Sequence, residues 1–201
     1  MNAPLRRDSD ETRSAILSTA WDLFRQLGAR TTIADIADAL SMSSANVYRY
    51  FPTKKALTDA TCERVLGSAF EAIRAAADGQ SRPIDRAAAM LRTMHVLMRD
   101  QMTSQARVHE IVDIAIQERW PAIDAYHANC GGLLAEIIGA GQATGEFGPG
   151  EPAALAMQTL AACASINHPV LIAQCSDKAP WPTPDEVVAF ALRALCNRQV
   201  G

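Results

Sequence analysis

This chain is poor in the residues that make turns and strands. Aromatics are only 5% of its 201 residues, and eleven glycines and ten prolines are too few for a fold of many short strands, which excludes a β-rich architecture. No apolar run approaches the length of a membrane span. The opening MNAPLRRDSDETR lacks the apolar core of a signal peptide, so a cytoplasmic protein is expected, with its arginines suited to a basic arm. The five cysteines, Cys62, Cys130, Cys163, Cys175 and Cys196, are odd in number and include no C-x-x-C pair. Reduced core thiols are therefore expected, with a redox switch or a metal–thiolate site as the alternative. There is no glycine-rich phosphate loop, no G-x-S-x-G elbow and no H-E-x-x-H, so neither an enzyme nor a cofactor is expected.

What the chain does have is hydrophobic residues, 49% of the total, with abundant alanine in long stretches free of helix breakers. That composition supports a sizeable core and an all-α fold, as one large domain or two small ones. The net charge of −3 hides an asymmetry: residues 1–55 carry eight Arg or Lys against six Asp or Glu, and residues 56–201 carry eleven against sixteen. The excess of positive charge at the N-terminal end has the sign expected of a nucleic-acid-binding segment, although it is small.

The most informative stretch is TTIADIADALSMSSANVYRYFPTKK, Thr31 to Lys55. Thr32 is an N-cap whose partner three residues on, Asp35, completes a capping box. Ile33, Ile36, Ala37 and Leu40 follow at helical spacing, with Ala37 small where two crossing helices come closest. Ser41 and Met42 form a turn, with Met42 as its inward plug, and Ser43 is the next N-cap. Val47 and Phe51 face the core, leaving Ser44, Ala45, Asn46, Tyr48, Arg49 and Tyr50 for other surfaces. Pro52 ends that helix and Thr53 caps the next, which opens with Lys54 and Lys55. Two short helices around a tight turn have the geometry of a helix-turn-helix, whose second helix enters the major groove. A helical hairpin with a polar outer face, in a module that never touches DNA, is the competing reading.

The residue types suit DNA. Asn46 can bind adenine in bidentate fashion and Arg49 guanine, while Ser44 can meet base edges or phosphate; Ser43 and Ala45 beside it complete the expected DNA-facing set. Thr32, Tyr48, Tyr50 and Lys54 suit phosphate oxygens, and the first-turn amides of the helix capped by Thr53 add an anion site. Ala45 lies early on the same helix.

The run Ile36-Ala37-x-x-Leu40-Ser41-Met42-Ser43, followed by Val47-Tyr48-Arg49-Tyr50-Phe51-Pro52-Thr53-Lys54-x-x-Leu57, resembles the N-terminal signature of the TetR/AcrR transcriptional regulators. The likeness covers roughly Ile16 to Leu57. Ser41 stands where that family usually has glycine in the turn, and Ala45 where glycine is frequent early in the recognition helix. The resemblance implies a helix-turn-helix domain over residues 1–52 and a helical effector-binding and dimerisation domain over 53–201, about nine helices in all.

Downstream, an amphipathic first helix over 10–27 stops at Gly28, with Ile16, Leu17, Ala20, Trp21, Phe24 and Leu27 as its stripe. A long helix from Thr53 to about Ala77, with no flexible linker, is expected to couple head and body rigidly. Further helices are expected over Pro83 to Thr103, Gln105 to Ile116, Pro121 to Thr144, Pro152 to near His168, and from Thr183 onward. Gly131-Gly132 inside one of them marks a close crossing or a local break. Met90, Met94, Met98 and Met102 recur every four residues. They read either as ordinary core or, with Leu91, His95, Ile111, Trp120 and Tyr126, as the wall of a pocket for a small apolar effector. His109 and Asp113, four apart, with His95 or His127, would make a weak metal site; none is expected. Residues 152–170 are rich in small side chains and residues 183–197 carry an apolar stripe. The resemblance makes these two segments a four-helix homodimer interface, although burial within one chain would also explain them. A dimer reading a pseudo-palindromic operator doubles the few base pairs that one recognition helix reads.

Overall fold

A computed structural model of the chain describes residues 9–103, 114, 115, 118, 120–175 and 180–196, with the last residues of the helices ending at 103 and 175 described by backbone only. The described residues are all-α and carry no strand. They fall into two compact units, one within Met1–Leu66 and Gln105–Ile123, the other within Gly67–Ser104 and Asp124–Gly201.

The first unit is built on α1 (Ser9–Leu27), α2 (Ile33–Ala39), α3 (Ser44–Tyr50) and the start of α4 (Lys54–Asp78). Its core is the set that helical spacing picks out: Ile16, Leu17, Ala20 and Phe24 from α1, Ile33, Ile36 and Ala37 from α2, then Val47, Phe51 and Leu57. Trp21, by contrast, is half-buried, and Leu27 is exposed at the end of α1. Gly28 takes φ 66° and opens a single 3-10 turn, Gly28–Arg30, the left-handed stop at which glycine carries no Cβ penalty. Met42 and Leu40 pack against the core as half-buried side chains. Arg64 of α4 ties back to α1, donating to the Ser14 carbonyl at 2.9 Å and to Ser18 Oγ at 2.7 Å.

The second unit contains α5 (Pro83–Thr103), most of α6 (Pro121–Thr144), α7 (Pro152–Ala162), α8 (Ala164–Asn167), α9 (Pro169–Cys175) and α10 (Pro184–Cys196). Here α5 packs against α8, α9 and α10, and α7 against α8 and α10. The glycine pair leaves α6 unbroken. A Cβ at Gly131 would meet Met157 Sδ of α7 at 3.4 Å, whereas Gly132 faces open space. Gly141 is the true close approach, since a Cβ there would lie 2.1 Å from the Phe147 ring. The expected single helix from Pro152 to His168 is corrected. It breaks at Cys163, which is fully buried with φ −89° and ψ 8°. No glycine or proline marks that point. The Thr159 hydroxyl donates back to the Leu155 carbonyl at 2.7 Å, a bond that bends helices. His168 is then extended, as the residue before proline must be, and Pro169 starts α9 in the first-turn position that tolerates its missing N–H. The helix expected over Gln105 to Ile116 lies almost wholly outside the described residues. Among the described residues no helix is long and apolar enough to cross a membrane.

Candidate nucleic-acid interface

The local chemistry of Thr31 to Lys55 fixes its backbone. The Thr32 side chain accepts from the Asp35 amide at 3.2 Å, while Asp35 Oδ2 accepts from the Thr32 amide and hydroxyl, both at 2.7 Å. These bonds, first the side-chain one from Thr32, hold the Asp35 carboxyl below the ordinary carboxylate range. Ser43 Oγ takes the Asn46 amide at 3.2 Å and starts α3. Thr53 Oγ1 takes the Ala56 amide at 3.0 Å and starts α4. Between α2 and α3 the chain turns through Ser41 at φ 53°, the left-handed conformation that glycine adopts without strain.

With Val47 and Phe51 buried beneath it, α3 presents Ala45, Tyr48 and Arg49 to solvent and leaves Ser44 and Asn46 half-buried. Tyr48 is 48% exposed, far more than a core tyrosine would be. The two candidate base readers touch each other: Arg49 Nη1 donates to Asn46 Oδ1 at 3.4 Å, and Asn46 Nδ2 lies 3.8 Å from Met42 Sδ. Asn46 is thus positioned by the turn below it and Arg49 by Asn46. Tyr50 turns partly inward and packs against the core. Thr32 and Ser43 are exposed at the starts of α2 and α3, their hydroxyls engaged in the caps. Lys54 is exposed, but its ammonium donates to the Ala29 carbonyl at 2.7 Å, which holds the start of α4 against the 3-10 turn. That contact spans 25 residues of sequence, and no spacing rule reveals it.

The candidate sensor residues are placed as follows. Met90, Met94 and His95 are buried on α5 and Met98 is half-buried. Tyr126 is buried on α6, where burial first, then its neighbour and hydrogen-bond partner Cys130, pushes its hydroxyl above the ordinary range. Trp120 is buried within the first compact unit; its Nε1 donates to Glu118 at 2.8 Å and Lys55 Nζ sits 5.2 Å from its ring centroid. Ile111, His109 and Asp113 lie outside the described residues, as does the Met102 side chain. Among the described residues no group of three or more His, Cys, Asp or Glu side chains is placed to hold a metal ion. Spacing gave no sign of Asn167 and His168, of which the Asn167 amide atoms and His168 Nδ1 prove to be buried.

Residues 16–61 match the family described as bacterial regulatory proteins, tetR family, and residues 83–188 match the tetracyclin repressor-like C-terminal domain. No curated protein matches the chain. Among solved structures, a tetR-family bacterial regulatory protein from Rhodococcus RHA1 is 24% identical, with 93% of this chain and 98% of that one covered at a TM-score of 0.61. A protein of unknown function from Rhodococcus sp. RHA1 is 22% identical, with 98% and 100% covered at 0.74. A TetR/AcrR regulator from Thermobifida fusca is 22% identical, with 94% and 99% covered at 0.64. At these identities the structural likenesses speak for the fold, and the two family matches for the lineage. The chain belongs to the TetR/AcrR family of transcriptional regulators and carries its helix-turn-helix DNA-binding domain at the N-terminal end.

Proposed function

We propose that the protein is a homodimeric, ligand-responsive repressor of the cytoplasm that binds a pseudo-palindromic operator. In this reading residues 1–52 read DNA, and residues 53–201 dimerise and sense a small, largely apolar effector. The observation that carries it is α3, with Arg49, Tyr48 and Ala45 exposed above a buried Val47 and Phe51. Arg49 and Asn46 serve as base readers. Ser43, Ser44, Tyr48, Tyr50, Thr32 and Lys54 serve as backbone contacts.

Dimerisation is supported by what α7 and α10 leave in water. On α7 the exposed residues include Ala153, Ala154, Ala161 and Ala162 beside Met157, 58% exposed; on α10 Ala189 and Ala194 flank Phe190, 63% exposed. Small side chains with two large apolar ones stranded among them are what a second copy of residues 152–170 and 183–197 would cover. The effector acts only through its preference for the state that does not bind DNA, and α4, unbroken from Lys54 to Asp78, is the element through which the reading head responds. Within the second unit, the wall of the effector site is assigned to Met90, Met94, His95, Met98 and Tyr126.

An oxidant-sensing reading is disfavoured by the thiols. Burial pushes Cys62, Cys130 and Cys163 up to about 11 and raises Cys196 as well, so these four described thiols offer little reactive thiolate at neutral pH. The test is titration of the protein against DNA from upstream of its own gene at several salt concentrations. Lys54→Ala should weaken binding to all sequences and flatten the salt dependence. A wild-type protein that never shifts this DNA above a random duplex would rule the reading out.

A further inference from the structure

The end of α8 is a patch of buried polarity that its surroundings leave unanswered. Oδ1 and Nδ2 of Asn167 and Nδ1 of His168 are all closed off from solvent and find no hydrogen-bond partner. Folded proteins rarely tolerate such atoms, because each forfeits its hydration with no return. They are not a by-product of frayed helix ends: the His168 amide donates to the Ala164 carbonyl at 2.8 Å, and the Ile172 amide to the His168 carbonyl at 2.9 Å. The backbone is satisfied and only the side chains are not.

The surroundings narrow what can answer them. His95 Nδ1 lies 2.7 Å from the carbonyl of Ile166, the residue before Asn167. A carbonyl only accepts, so Nδ1 carries the proton and donates. This bond joins α5 to α8, and the same α5 brings the buried apolar side chains of Met90, Leu91 and Met94 into the unit. His127 of α6, itself exposed, stands within electrostatic reach of both Asp124 and His168. No arginine, lysine, aspartate or glutamate is among the buried described residues. With no fixed charge among the buried described residues, a charged ligand group would lose its water there for little return, a penalty that an uncharged one avoids.

We infer that Asn167 and His168 are the polar anchor of the effector site, shaped for an uncharged group with a donor and an acceptor side by side, such as a carboxamide, on an otherwise apolar molecule. The Asn167 side chain pairs with such a group as one amide pairs with another, Nδ2–H donating to its carbonyl and Oδ1 accepting from its N–H, while His168 Nδ1 takes the remaining position. The inference rests on the effector reading above.

The experiment uses the full-length protein with octanamide and benzamide as probes and octanoate and benzoate as their charged counterparts, followed by thermal unfolding and calorimetric titration. Each amide is expected to bind the wild type at least tenfold more tightly than its carboxylate. Asn167→Leu is expected to abolish that preference and, without ligand, to melt at or above the wild-type temperature, since it deletes two unpaired polar atoms. Carboxylates binding as well as amides, no amide binding at millimolar concentration, or an amide preference that survives Asn167→Leu would each overturn the assignment. A ligand-free Asn167→Leu that melts several degrees lower would also overturn it, because the amide would then be satisfied within the fold. The wild-type comparison stands whether or not the variant folds. Binding to upstream DNA is measured alongside. Its absence defeats the repressor reading and leaves the anchor to be decided by the amide data, whereas intact DNA binding without amide preference defeats the anchor alone.

Discussion

At the scale of single residues, the turn of the helix-turn-helix carries a strain that the sequence explains. Ser41 sits at φ 53°, where a side chain costs about 1–2 kcal/mol and glycine costs nothing. Glycine returns part of that gain through the entropy of the unfolded chain. Ser41→Gly should therefore stabilise the protein by about 0.5–1 kcal/mol, seen as a higher urea midpoint. An unchanged or lower midpoint would mean the turn relaxes around serine. Arg49 is the other decisive residue. Its replacement by alanine should cost about 1–3 kcal/mol of operator binding and relax the preference at one base pair, measured by titration of matched and substituted duplexes. Both residues are legible in the sequence, because turn geometry and side-chain chemistry are local. The partner of Lys54 is not, because the Ala29 carbonyl reaches it only after α1 and α4 have packed.

Among elements, the helix starts were the easiest features to read. Thr32, Ser43, Thr53 and Thr183 each cap the helix expected of them, with Thr183 and Glu186 repeating the reciprocal bonds of Thr32 and Asp35. Ser43→Ala should cost about 1 kcal/mol and fray the recognition helix, which would appear as faster amide exchange in α3. The two capping carboxyls make a prediction in pH. The ordinary values are 3.8 for Asp35 and 4.5 for Glu186, and each is lowered in the folded protein by its bonds to threonine. Their contribution is therefore complete above those values and disappears as pH falls through the lower folded ones. The stability gap between wild type and an Asp35→Asn/Glu186→Gln variant should hold steady above about pH 5 and narrow below about pH 4, as measured by urea unfolding. The break at Cys163 was not legible, since alanines and a serine surround it and only the packing of the second unit demands the bend.

For the whole molecule, the all-α architecture follows from composition, and the N-terminal core from helical periodicity. The contents of the first compact unit do not, because the segment holding Trp120 joins it from far along the chain, with Lys55 over the indole ring. If α7 and α10 form the dimer, Phe190→Asp should give a monomer in sedimentation velocity and weaken operator binding more than tenfold while leaving the helical content intact. A Phe190→Asp dimer would move the interface elsewhere. The most direct measurement of all is selection of sequences from a random duplex library by the wild type and by Arg49→Ala. The wild type should enrich a pseudo-palindrome whose half-sites lie on successive major grooves, with one conserved base pair in each half-site losing its bias in the variant. Enrichment of no sequence, or of the same sequence with undiminished bias by both proteins, would contradict the assignment of α3 as the reading helix.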